Sequence, residues 1–160
     1  MEGKNTYIII LIEVLQKKVL LLEQLTSLTI MQKDQIEKET IESEEFENII
    51  RQKDELLIEL DKADDGFEII FDKVKQELSE HGSQYPEEIE KLQKLIQKIT
   101  DKSVKLQGME QRNSRNMEQV LNKKKTEIKE FHVNHRTVSS YYKNMANQYD
   151  GKSFFMDRKK

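Results

Sequence analysis

The chain has no cysteine and no tryptophan, a single proline and five glycines. Without cysteine there are no disulfides and no thiolate metal sites, which fits a cytoplasmic location. One proline leaves few breaks, so long helices are expected in place of a sheet. The glycines, at 3, 66, 82, 108 and 151, form no phosphate-cradling loop. Long apolar runs are missing too. The longest, Ile8–Ile12, stops at Glu13, far short of the roughly 20 residues a spanning helix needs. No small-residue cleavage site follows it, so neither membrane insertion nor a signal peptide is expected.

What is present is helix-forming. Glu, Lys, Leu, Ile and Gln dominate, and hydrophobic and charged residues each make up 36% of 160 residues, as expected of one small unit. The net charge of −3 conceals a gradient. Residues 1–36 balance four lysines against four acids, residues 37–80 carry sixteen acids against six bases, and residues 81–160 carry seventeen bases against ten acids. An acidic middle helix beside a basic third one favours antiparallel neighbours of opposite charge.

Apolar residues recur at three- and four-residue steps, one per turn on a single helical face. The pattern predicts helices over about 5–38, 44–79 and 86–148 in a single domain, 1–149, followed by a flexible tail, 150–160. Helix one offers Ile8, Leu11, Ile12, Leu15, Val19, Leu22, Leu25, Leu28, Met31 and Ile36. Val14, Leu20 and Leu21 widen that stripe, as a helix contacted on two sides requires. Ser43 suits the N-cap of helix two, with Glu44 and Glu45 at its positive end. Gly82 suits a C-terminal cap and Pro86 the first turn of helix three. The fold class is therefore all-α: an elongated antiparallel three-helix bundle.

Length then separates the helices. The first two span roughly 50 Å each and the third roughly 90 Å at 1.5 Å per residue. Helix three should lose its neighbours near residues 120–125 and overhang the bundle, leaving the stripe from Ile128 to Tyr149 without an internal partner.

No catalytic motif is present, so an enzyme is not expected, and no cofactor is implied. His132 and His135 lie three apart beside Glu130, but only His135 falls on the apolar face. The inward carboxylates of a di-metal bundle site are missing, so no metal is expected. Lys123, Lys124 and Lys125 lie close to Glu127 and Glu130 in a chain of pI about 5.8, which argues against nucleic acid. Ser103, Gln111, Asn113 and Asn116 fall on or near the stripe, where a buried amide fixes register and a solvated polar layer does nothing special; spacing does not choose between them.

The C-terminal third differs in kind. Six of the eleven Phe and Tyr residues fall between 131 and 155. Aromatic residues and methionines are enriched at interfaces. Ile128, Phe131, Val138, Tyr142 and Met145 form the candidate partner-binding face, in the helix-in-groove mode. The alternatives are a fold-back of this end, or a structural coiled coil that homodimerises through its C-terminal helix. The expected state is a monomer or weak dimer.

Three stretches resemble the FlgN family of flagellar export chaperones. One is Ile41–Asp61, where a short break leads into a helix bearing Lys53 and then Leu56, Leu57 and Leu60. Another is Met109–Met117, with its asparagines, and the third is the aromatic end, Tyr141-Tyr142 and Tyr149-Asp150-Gly151. The resemblance implies a cytosolic chaperone that binds the C-terminal helices of two related hook-associated (hook–filament junction) proteins. It implies delivery of that cargo to the export gate of the flagellar type III secretion apparatus. A tyrosine near the end of the family's C-terminal region docks on the gate; Tyr142 and Tyr149 both answer to that description, with Tyr149 as the candidate. An adaptor of another secretion system is the rival reading.

Overall fold

The computed structural model describes residues 2–123, with side chains from Thr6 onward. Among the described residues there are three α-helices and no strand: α1 (Glu2–Glu37), α2 (Ser43–His81) and α3 (Pro86–Lys123). A short 3₁₀ turn, Gly82–Gln84, joins α2 to α3. The predicted continuation of helix three to residue 148 and the tail over 150–160 lie outside the described residues.

The helices run up, down and up. Gln35 of α1 donates to Glu45 of α2 at 2.7 Å, and Lys17 pairs with Glu59 at 3.3 Å, so the first two are antiparallel. Tyr85, just before α3, donates its hydroxyl proton to Glu77 near the end of α2. α1 makes the extensive backbone approaches, one to α2 and one to α3, while α2 and α3 stay further apart. That explains the wide buried face of α1, where Leu11 and Ile12, Leu21 and Leu22 are adjacent buried pairs.

Burial follows a heptad, three and four residues alternately. On α1 the seam is Ile8, Leu11, Leu15, Lys18, Leu22, Leu25, Thr29, Gln32 and Ile36, all buried. Phe46, Ile50, Lys53, Leu57 and Leu60 continue it on α2; Ile99, Ser103, Leu106, Glu110, Asn113 and Met117 do so on α3. Two expectations are corrected by this seam. Met31, read as core, is 50% exposed because Gln32 holds the inward position, and Leu20 points outward at 60%.

The helix ends are also specific. Glu42, not Ser43, is the N-cap of α2; it has extended backbone and makes no side-chain cap bond. Glu44 and Glu45 still occupy the first turn, where the helix dipole favours them. α2 ends at Gly82, which keeps right-handed helical angles and passes into the 3₁₀ turn. Pro86 opens α3, where its missing N–H is no loss. Tyr85 beside it is buried, a core residue that periodicity did not reveal.

The charge gradient acts differently from the expectation. Lys17–Glu59 and Lys18–Asp64 (2.5 Å) tie α2 to α1. The buried α2–α3 pair has the opposite polarity to the gradient, with its lysine on the acidic helix and its glutamate on the basic one.

Candidate functional site

In the part of the bundle nearer the α1–α2 connection the apolar seam gives way to a polar layer contributed by all three helices. Thr29 and Gln32 come from α1, Lys53 from α2, and Glu110 and Asn113 from α3; none is more than 4% exposed. Lys53 Nζ donates to Gln32 Oε1 at 2.6 Å and also to Glu110 Oε1. The Thr29 hydroxyl lies 2.7 Å from both Glu110 Oε1 and the Leu25 carbonyl, and its one proton serves either. Asn113 Nδ2 donates to the Thr29 carbonyl at 3.1 Å. A buried amide therefore holds α3 against α1, the first of the two roles that spacing left open. Gln111 and Asn116 are exposed, and Ser103 is buried one heptad before Glu110.

Burial sets the electrostatics here. Removing Lys53 from water lowers its pKa from 10.5 to about 8, and the attraction of Glu110 offsets only part of that fall. Burial also raises the neighbouring Asp54 carboxyl, against the pull of Lys53. A lysine with so low a pKa can serve as a base or nucleophile when substrate reaches it. Lys53 is 0% exposed and its hydrogen bonds are made within the layer, so its role is structural.

The layer also sets the register of the bundle end. Thr29 stands between Glu110 and Asn113. Following both parallel helices onward, Glu37 at the end of α1 comes level with the stretch Glu118–Leu121 of α3. Leu121 is still buried. The bundle therefore closes just before the last described residues of α3. The predicted cargo residues Ile128, Phe131, Val138, Tyr142 and Met145, and the gate candidate Tyr149, lie outside the described residues, as do His132 and His135.

On the outside, α1 and α2 frame a shallow open groove of about 690 Å³. Leu28, Leu56, Ile58, Glu55 and Glu59 are among the residues that line it. No group of His, Cys, Asp and Glu among the described residues could hold a metal ion. No helix among them is long and apolar enough to cross a membrane.

The family model described as FlgN protein matches residues 1–149. The chain belongs to the FlgN family. FlgN proteins are flagellar export chaperones that act in flagellum biogenesis, and that is the role of this chain. No curated protein and no solved structure matches it. Two of the three FlgN-like stretches meet in the polar layer, since Lys53 lies in the first and Glu110 and Asn113 in the second. In the sequence both Lys53 and Glu110 stand out only as members of these FlgN-like stretches, with no role of their own. The available signal was that both fall on heptad seam positions.

Proposed function

We propose that the chain is a cytosolic chaperone for the C-terminal helices of hook-associated junction proteins. It holds them through Ile128, Phe131, Val138, Tyr142 and Met145, prevents their premature self-association and delivers them to the export gate, with Tyr149 as the docking residue. The observation that supports this reading is a boundary. The family match continues to residue 149, well past Leu121, where α1 and α2 stop accompanying α3. The described residues form a core among themselves, and the part of the family pattern beyond them carries the aromatic cluster.

The chemistry suits reversible capture. Burying a Phe- or Met-sized side chain contributes about 1.5–3 kcal/mol before ordering costs. Five such anchors give micromolar or tighter binding without nucleotide. The polar layer engages side chains of all three helices with one another, which supports giving the binding role to the residues after the bundle.

The test is capture of C-terminal segments of hook-associated junction proteins by the wild type and by Phe131→Asp combined with Tyr142→Asp. The double variant should lose at least ten-fold in capture while keeping the helical signal and melting temperature of the bundle. Undiminished capture would sink the assigned face.

A further inference from the structure

We infer that the layer of Thr29, Gln32, Lys53, Glu110 and Asn113 is a specificity device, which makes α3 of the same chain the helix that completes the seam of the α1–α2 hairpin. Apolar seams do not choose partners well. Leu22 and Leu25 on α1 and Leu57 and Leu60 on α2 would bury as readily against a second copy's hairpin as against α3. Two hairpins packed face to face make a four-helix bundle, the commonest alternative for such helices. The layer opposes that arrangement. Among the described residues the buried side chains of α1 and α2 include no carboxylate, and Asp54 beside Lys53 is only half-buried, so two paired hairpins would bury two copies of Lys53 with no buried acid to meet them. Only α3 carries one into the seam, as Glu110, and Asn113 beside it engages the Thr29 carbonyl. Removing the partner of a buried charge is strongly destabilising, whereas replacing the whole group by apolar residues is often neutral or stabilising. The layer thus contributes little net stability and penalises every assembly that lacks Glu110. It also ties together the two helices whose backbones approach least, α2 and α3.

The test uses the full chain, whose lack of cysteine leaves engineered labelling sites without background. Spin labels at Gln52 of α2 and Gln111 of α3, both exposed, report the distance between the two helices when labelled chains are diluted into unlabelled ones. The wild type should give one narrow distance distribution. The apolar variant, Gln32→Leu with Lys53→Met and Glu110→Leu, should stay helical and melt no lower. A tenth or more of its molecules should show a second, longer distance, with larger particles in sedimentation. The reversed pair, Lys53→Glu with Glu110→Lys, keeps complementarity, because the Gln32 amide can turn to donate and the Thr29 hydroxyl can accept; it should restore the single distance. The inference is overturned if the apolar variant shows only the wild-type distance and particle size. It is also overturned if that variant fails to fold, because the layer would then supply stability. A reversed pair that behaves like the apolar variant counts against it equally.

Discussion

Lys53 of α2 donates to Glu110 of α3 across the centre of the bundle, and both side chains are closed off from water. Removing one partner strands the other. Lys53→Met alone leaves a buried carboxylate, and Glu110→Leu alone leaves a buried ammonium. Each should destabilise by about 3–5 kcal/mol. The combined apolar variant that also carries Gln32→Leu should recover nearly all of it. Urea denaturation of the singles and the combination measures this directly, and a combined loss equal to the sum of the singles would contradict the coupling.

The same lysine predicts an unusual alkaline stability profile. Its folded pKa is about 8 and its ordinary value 10.5. Between those limits the unfolded chain holds a proton on Lys53 that the folded chain has released, so unfolding takes up a proton and stability rises with pH. The penalty is complete below pH 8, is of the order of 3 kcal/mol, and fades as pH approaches 10.5. Subtracting the profile of the apolar-layer variant removes the contributions of other groups. A flat difference from pH 7.5 to 10.5 would contradict the assignment.

Leu20 and Leu22 are chemically identical and two residues apart, yet 60% and 0% exposed. Leu22→Ala should cost about 2–5 kcal/mol through lost burial and a residual cavity. Leu20→Ala should stay within about 0.5 kcal/mol of wild type, as surface substitutions do. Thermal melts of the two variants compare them on one scale, and similar losses would contradict the facing of α1.

Gly66 sits inside α2 at a right-handed helical backbone, and an added Cβ there meets nothing within 4 Å. Gly66→Ala should therefore stabilise by about 0.5–1 kcal/mol, through helix propensity and a less flexible unfolded chain. A lower melting temperature would mean that the glycine serves a contact the free bundle does not show.

The fold was legible where hydropathy and position agreed. Leu22, Leu25, Leu57 and Leu60 are apolar, fall at three- and four-residue steps and are buried. Pro86 marked the start of α3 for a local steric reason that holds in any context, whereas Gly82 stands at the break with right-handed angles that any residue could adopt. It was less legible where a polar side chain holds a seam position. Met31 drew attention as apolar, yet Gln32 is the inward residue, because continuation of the heptad decides the facing and hydropathy does not. Lys53 and Glu110 look like surface charges on helices full of them. Their burial depends on each having the other, a pairing between α2 and α3 that no local pattern encodes. The charge gradient suggested α2–α3 attraction through surface residues, whereas their buried tie has the opposite polarity.

The central claim is a division between a self-contained three-helix bundle and a cargo-holding stretch after it. Hydrogen exchange read by mass spectrometry on the full chain, with and without a C-terminal segment of a hook-associated junction protein, tests it most directly. The account predicts new protection confined to peptides within residues 124–149, with α1 and α2 unchanged. Protection that appears on α1 and α2 and leaves 124–149 untouched would contradict it.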